Sequence, residues 1–198
     1  KGLDKNVEMK DSGIEWIGEI PEHWGVPKMK YILSLKSGDS LVNSLLDDSS
    51  SYPVYGGGKR IGFYKESNVT KENILIGRVG ANCGCVTKLT NNAWATDNSL
   101  IVSTINNKKY IYYLLVSSNL NDLNESNAQP LITGTKVINY KVPFISYLEE
   151  QKQIASYLDQ KCSQIDQIIS TKEKLLTEME AYKKSLIYET VTGKREVE

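Results

Sequence analysis

Residues 147–190 contain no glycine and no proline, and this run limits the possible folds more than any other feature of the chain. Strong helix formers fill it, and apolar side chains return every three or four residues, which predicts one long α-helix. Residues 146–149 fit a capping box, with Ser146 accepting from first-turn N–H groups while Glu149 reaches back. The helix is expected to end near Gly193. At ~1.5 Å per residue it is roughly 64 Å long, which exceeds what one globular domain of this size needs.

The apolar positions of this helix alternate at spacings of three and four residues, which is the pattern of a coiled-coil seam. Lys172 and Lys183 interrupt the seam. In the alternative, the apolar stripe folds back onto the preceding domain, but a helix this long extends past such a domain and its far half needs a partner helix. The expected pairing residues are Leu158, Cys162, Ile165, Ile169, Leu176, Met179 and Leu186.

The residues before the helix form short β-like segments separated by glycine and asparagine turns. Residues 73–80 are the most strand-like, residues 110–123 follow helical periodicity, and residues 137–142 are predicted as a final strand. The predicted fold class is therefore α+β, with a β-rich domain followed by a long C-terminal coiled-coil helix. The predicted division is a lead-in at 1–13, the domain at 14–146, the helix at 147–192 and a tail at 193–198.

Charge is distributed unevenly, although the chain has 24 basic and 24 acidic side chains and a net charge of zero. Residues 52–147 carry 10 basic and 5 acidic side chains, whereas the segments on either side are net negative. A local excess of positive charge is compatible with an anionic partner such as DNA, although it is weak evidence alone.

Several classes of protein are disfavoured by what the sequence lacks. No apolar run approaches the ~20 residues that span a membrane, and no signal-peptide pattern is present, so a cytoplasmic location is the default. Three cysteines and one histidine do not make a structural zinc set, and the cysteines are expected to be reduced. Phosphate-loop, dinucleotide-binding and metalloprotease motifs are missing. We therefore expect no catalytic residue, no metal and no cofactor.

The glycine turns of the basic segment carry side chains suited to DNA. Arginine and lysine meet phosphates or guanine edges, asparagine pairs with adenine edges, and tyrosine stacks on a base or sugar. Each residue taken singly is an ordinary loop residue, but their joint presence in the only positively charged segment favours DNA. The candidate DNA-binding residues are Lys59, Arg60, Tyr64, Arg78, Asn82, Thr96, Asn98, Thr135 and Lys136.

Several motifs of this chain occur in the same order as in a known family. They are DSGIEWIGEIPEHW, YPVYGGGKRIGFY, ILIGRVGANCG, WATDNSLIV, TGTKVINYKVPF, EEQKQIASYLDQKCSQID and KSLIYETVTGK. Together they resemble a target-recognition domain and conserved helix of the specificity (S) subunits of Type I restriction-modification systems. The resemblance covers nearly the whole chain. It departs from the family at Ser146 and Tyr147, which replace the prolines of a common Pro-Pro-Leu-x-Glu-Gln junction.

The resemblance implies a subunit that reads DNA and performs no chemistry itself. The domain would read one half of a bipartite site in double-stranded DNA, and the helix would pair antiparallel with a second such helix and set the half-site spacing. Methylation subunits would bring S-adenosylmethionine and adenine methylation, and restriction subunits would bring ATP-driven translocation and cleavage. The alternative is a coiled-coil interaction scaffold whose globular head does not bind DNA.

The number of domains also departs from the family, because such subunits usually contain two recognition domains and two spacer helices. This chain has one of each, and its opening residues 1–4 are similar to the link that follows the first half. We therefore expect the C-terminal half of a full-length subunit. The alternative is a natural half-subunit that pairs with a second copy of itself.

Overall fold

The computed structural model describes residues 6–124 and 130–196, which form two structural units, one ending at Ala155 and one beginning at Ser156. The predicted α+β fold class is confirmed. In the described ranges the helices are α1 Lys108–Ser117, α2 Gly134–Asn139 and α3 Leu148–Val191. The strands are β1 Met9–Asp11, β2 Glu19–Pro21, β3 Ser34–Ser37, β4 Tyr52–Gly56, β5 Lys59–Tyr64, β6 Ile74–Gly77, β7 Val86–Lys88, β8 Trp94–Ala95 and β9 Ser99–Ser103.

The main sheet of the first unit is antiparallel, with strand order β3-β9-β6-β7. Its strand β6 is buried along its whole length. Successive side chains of a strand point to opposite faces, so Ile74 and Ile76 enter one apolar cluster while Leu75 enters another. Each such side chain contributes roughly 1.5–3 kcal/mol of burial free energy. Apolar side chains therefore pack on both faces of the sheet at β6.

A second sheet has the order β5-β4-β8, and β1 and β2 form a separate two-stranded ribbon. Strands β4 and β5 are antiparallel and are joined through Gly57 and Gly58, which both have positive φ. The ribbon pairs Met9 with Pro21 and Asp11 with Glu19. The segment expected as a lead-in, residues 1–13, therefore contains a paired strand, and its residues 1–5 lie outside the described ranges.

Helix α1 confirms the helical periodicity predicted from residue 110 onward. The side chain of Asn107 accepts a hydrogen bond from the N–H of Tyr110 and caps the first turn. The helix ends after Ser117, because Asn119 adopts the left-handed conformation with φ 44°. A short 3-10 turn, Leu120–Leu123, follows it.

The strand predicted at residues 137–142 is wrong, because residues 134–139 form helix α2. The side chain of Thr133 accepts from the N–H of Lys136 and caps this helix. Val137 is fully buried, and Val142 is buried after the helix has ended. Short apolar runs have the same periodicity in buried strands and buried helices, so the pattern alone did not separate the two.

Helix α3 has 44 residues and therefore rises about 66 Å along its axis. The predicted end near Gly193 is confirmed, and it is a Schellman motif. The N–H of Lys194 donates to the carbonyl of Glu189 at 2.8 Å, and the N–H of Gly193 donates to Thr190 at 3.2 Å. Gly193 supplies the positive φ, 70°, that this helix end requires.

The start of helix α3 differs from the predicted capping box. The helix begins at Leu148, so Tyr147 and not Ser146 is the residue before it. The carbonyl of Tyr147 accepts from the N–H of Gln151 at 3.1 Å, and the carboxylate of Glu149 pairs with Lys152 at 2.6 Å. The capping box is therefore not formed.

Two side chains of the first turn of α3 attach it to the domain. The carboxylate of Glu150 accepts from the indole N–H of Trp24 at 3.0 Å and lies 2.9 Å from Nε2 of His23. Gln151 is fully buried, and its Nε2 donates to the carbonyl of Ile145 at 2.7 Å. His23 thus contributes to the attachment of this first turn. No helix in the described ranges is both long enough and apolar enough to cross a membrane.

Candidate nucleic-acid interface

Three loops at one end of the sheets are joined by the backbone of Asn98. Its carbonyl oxygen accepts from the N–H of Gly57 at 3.2 Å and from the N–H of Arg78 at 3.0 Å. Gly57 belongs to the turn between β4 and β5, and Arg78 begins the loop after β6. The N–H of Asn98 donates to the hydroxyl of Thr96 at 3.4 Å. Main-chain atoms therefore hold the three loops together.

The loops approach so closely that a side chain does not fit at Gly77. A Cβ atom there would lie 2.6 Å from the carbonyl oxygen of Asn82 and 2.7 Å from that of Gly57. The same carbonyl of Asn82 accepts from the N–H of Cys85 at 3.0 Å. The glycine turns are visible in the sequence, and the structure shows that they allow one loop to pack closely on another.

A groove of about 480 Å³ lies between the loops, and we call it the asparagine groove because Asn43, Asn82 and Asn98 line it. Asn43 and Asn98 are exposed, and Asn82 is half-buried. Within the described ranges, the side-chain amides of these three residues make no hydrogen bond. The groove also contains the apolar side chains Leu46, Ile61 and Ala81. Two predicted residues, Asn82 and Asn98, are thus brought together, whereas Asn43 was missed.

The loop that carries Asn43 is seated on strand β5. Leu46 packs so closely on Gly62 that a Cβ atom added to this glycine would lie 3.3 Å from Cδ1 of Leu46. The N–H of Asp47 donates to the carbonyl of Phe63 at 3.0 Å. Hydrogen bonds from Ser49 hold the pKa of the exposed Asp47 carboxyl below its ordinary value. The sequence showed only a polar loop here, because no local pattern indicates that residue 43 meets residues 82 and 98.

A second concavity of about 530 Å³, the basic cavity, contains the side chains of Arg60 and Lys71. The guanidinium carbon of Arg60 lies 5.1 Å from the centre of the Phe63 ring. Tyr52 and Tyr55 add two further rings to the lining. Two cations beside aromatic faces are suited to a phosphate and its sugar or base. The sequence identified Arg60 but missed Lys71, which is brought here from a different loop.

Two predicted contact residues are used inside the protein. Nη1 of Arg78 donates to the carbonyl of Asp97 at 3.1 Å and to the hydroxyl of Ser37 at 3.3 Å. Thr96 is 4% exposed and bonds to the N–H of Asn98. Burial removes the hydroxyl of Thr96 from the surface of this structure, and its direct contact with DNA stays a prediction. Both residues support the loops that carry the asparagine groove.

The remaining predicted residues occupy two other places. Lys59 is exposed on β5, and the ring of Tyr64 packs edge-on against Trp94 with centroids 5.1 Å apart. Thr135 and Lys136 belong to helix α2 rather than to a glycine turn. Nζ of Lys136 donates to the carbonyl of Leu123 at 3.3 Å. Neither residue of α2 lines the asparagine groove or the basic cavity.

Cys83 supports the loop after β6 with its thiol. Burial raises the pKa of this thiol, which keeps it protonated at neutral pH. Sγ donates to the carbonyl of Arg78 at 3.1 Å. In the part of the chain that the structure describes, no group of three or more His, Cys, Asp and Glu side chains is arranged to hold a metal ion.

The predicted seam residues of α3 lie on the second unit. Ile165 and Ile169 are 55% and 48% exposed, and Leu176 and Met179 are 61% and 62% exposed. Leu158, Cys162 and Leu186 are half-buried. Such a run of exposed apolar side chains on one helix typically marks an interaction surface.

The chain thus combines an α+β domain that carries a loop-built polar groove with a long helix that has an exposed apolar seam. The sequence profile of the family "Type I restriction modification DNA specificity domain" matches residues 21–180. The match covers most of the chain, and the chain therefore belongs to this family.

Two curated relatives are specificity subunits of Type I restriction enzymes. The EcoprrI subunit of Escherichia coli is 34% identical over 115 residues, which are 57% of this chain and 28% of that protein. The MjaVIII subunit of Methanocaldococcus jannaschii is 26% identical over 242 aligned positions, which cover 98% of this chain and 51% of that protein. The chain thus spans about half, or less, of the length of these relatives.

Solved structures show the same fold. The S subunit from M. genitalium matches with a TM-score of 0.70 and 21% identity, over 85% of this chain and 42% of that one. A chain from a study of complex assembly and conformational transition of the Type I system has a TM-score of 0.70 and 16% identity, over 86% and 46%. HsdS from Thermoanaerobacter tengcongensis has a TM-score of 0.58 and 17% identity, over 80% and 41%.

Proposed function

We propose that the chain recognises DNA as one target-recognition domain plus one spacer helix of a Type I restriction-modification specificity subunit. The match of the family profile to residues 21–180 is the observation that carries the proposal. The domain reads one half of a bipartite site in double-stranded DNA. In this proposal the chain has no catalytic residue of its own, and adenine methylation and endonuclease activity belong to the assembled complex.

The DNA-facing surface in this proposal combines two chemistries. The asparagine groove offers neutral amides, which suit base edges, and the basic cavity offers Arg60 and Lys71, which suit phosphates. Lys59 is exposed on the same strand as Arg60 and adds a further cation. The excess positive charge of residues 52–147 supports this assignment.

The spacer helix acts through its exposed seam. We place an antiparallel partner helix on Ile165, Ile169, Leu176 and Met179, because apolar side chains at these spacings are buried by a second helix. The partner is a second recognition half or a second copy of this chain. Pairing fixes the distance between two recognition domains, and hence the gap between the two half-sites. Methylation and restriction subunits are the further partners.

Binding to duplex DNA as a function of salt tests the proposal. The chain, assembled with the methylation subunits of its system, should bind duplex DNA with an affinity that falls steeply as salt rises. Lys59→Ala should lower the affinity and reduce the salt slope by about 1, because one phosphate contact is lost. Lys10→Ala, an exposed lysine of the β1–β2 ribbon, is the matched control and should leave both unchanged.

If the affinity for duplex DNA responds neither to salt nor to Lys59→Ala, the assigned DNA-facing surface is wrong. If no duplex is bound while the helices still pair, the chain is instead an interaction scaffold with a head that does not bind DNA.

A further inference from the structure

We infer that the asparagine groove reads A·T base pairs, so that the half-site recognised by this chain contains adjacent adenines or thymines. The inference rests on the proposed function and names the bases that the domain selects. It is carried by three unpartnered amides that line one groove, Asn43, Asn82 and Asn98, together with the uncharged character of that groove.

The four bases require different side chains in the major groove. Guanine presents two acceptors and is read by arginine or lysine, and cytosine presents an amino donor and is read by a carboxylate. Adenine presents one acceptor and one donor side by side, which asparagine matches with its amide N–H and carbonyl oxygen. The thymine methyl group is read by apolar contact. The composition of a reading surface therefore favours some base pairs over others.

The lining of the groove matches the A·T pattern. Among the described residues that line it, none carries a charge, so partners for guanine and cytosine are lacking. Three amides are present for adenine edges, and Leu46, Ile61 and Ala81 offer methyl groups to thymine. Of the cations nearest in sequence, Arg78 donates to the main-chain carbonyl of Asp97 and Arg60 lies in the basic cavity, while Lys59 is exposed and does not line the groove.

The groove is also rigid enough to read a sequence. The backbone of Asn98 is held by three hydrogen bonds, to Gly57, Arg78 and Thr96. The carbonyl of Asn82 is held by Cys85, and the carbonyl of Asn43 accepts from the N–H of Leu46 at 3.1 Å. A side chain whose backbone is fixed loses less conformational entropy on binding, which favours specific hydrogen bonds.

Selection of duplexes from a random library by the assembled complex tests the inference. The selected site should contain a half-site with at least two adjacent A·T pairs. Asn82→Asp should shift one of these positions towards C·G, because a carboxylate only accepts and cytosine N4 donates. The expected change in base preference is roughly 5-fold to 100-fold at that position, which corresponds to one bidentate contact.

Two further variants complete the design. Asn43→Asp makes the same chemical change on an exposed turn, and it keeps the test available if Asn82→Asp fails to fold by thermal melting. Asn121→Asp is the matched control, because Asn121 is exposed on the 3-10 turn Leu120–Leu123 and lines neither the groove nor the basic cavity. It should leave base preference unchanged.

The outcomes separate this inference from the function on which it rests. A selected half-site without two adjacent A·T pairs, or a preference that moves with Asn121→Asp and not with the groove variants, overturns the inference and leaves DNA recognition intact. If the complex with the unaltered chain enriches no duplex at all, the proposed function fails, and the inference fails with it.

Discussion

Single residues of this domain divide into those that hold loops and those that face outward, and the residue type does not reveal which is which. Lys59 and Arg78 each follow a glycine. Nevertheless, Nη1 of Arg78 donates to the main-chain carbonyl of Asp97, whereas Lys59 is exposed. Asn82 and Asn98 were predictable as candidates for base contacts, because amides suit adenine edges, and that role stays a proposal. Asn43 was not, because its place in the groove depends on a contact between loops far apart in sequence.

Gln151 is the clearest structural residue of this kind. Its Oε1 accepts from the N–H of Asn107 at 3.0 Å, and its Nε2 donates to Asn106 at 3.2 Å and to Ile145 at 2.7 Å. Gln151→Ala should lower the free energy of unfolding by about 1–3 kcal/mol, because buried partners are left without hydrogen bonds. Urea denaturation measures this. Gln153→Ala, exposed on the same helix, should change it little.

Tyr110 makes the stability depend on pH in the alkaline range. Burial raises its pKa to about 12, and its hydroxyl oxygen accepts from the N–H of Ile145 at 3.3 Å. Because the unfolded value is about 10, the stabilisation is full below pH 10 and is lost as the pH rises towards 12. The loss amounts to about 2–3 kcal/mol.

The comparison of the unaltered protein with Tyr110→Phe isolates this effect, because other titrating groups cancel in the difference. Urea denaturation at pH 8 and pH 11 should show a smaller decrease for the variant. Equal decreases in both proteins would contradict the assignment to Tyr110.

At the scale of elements, long helices were easier to predict than short ones. Forty-four residues of helical pattern left no competing interpretation for α3, and Gly193 marked its end. The six residues of α2 have an apolar alternation that also suits a strand. The side chain of Thr133 caps the segment as a helix by accepting from the N–H of Lys136. The capping box predicted at the start of α3 is absent for a different reason, because the carboxylate of Glu149 pairs with Lys152 and not with the helix backbone.

The seam of α3 gives a prediction at this scale. Changing Ile169 and Leu176 together to Asp should separate the paired helices, because two carboxylates would be buried against apolar side chains. Light scattering should show the mass falling to that of the unpaired species. The matched control is Gln167→Asp with Ala181→Asp, which adds the same charges on the opposite side of the heptad. Separation by the control as well would contradict pairing through this seam.

For the whole molecule, helix length and the DNA gap are connected in the proposed mechanism. Inserting seven residues of heptad pattern between residues 174 and 175 adds about 10.5 Å of helix and keeps the seam in phase. The gap between methylated half-sites should lengthen by at most about 3 base pairs, at about 3.4 Å each. Methylation-site mapping in a host measures this directly.

The same seven residues inserted after Arg195, beyond the helix end, are the control and should leave the gap unchanged. If the insertion within the helix leaves the gap unchanged, the helix length does not set the spacing between the half-sites.

The carbonyl of Asn98 closes the loop frame, while the side chain of the same residue lines the groove. Every amino acid has this carbonyl, and every one except proline has the N–H that bonds to Thr96. These hydrogen bonds therefore do not depend on which side chain, other than that of proline, is present at residue 98. In the proposed mode of recognition, one codon change at residue 98 would therefore alter the target sequence without rebuilding the loop that presents the side chain.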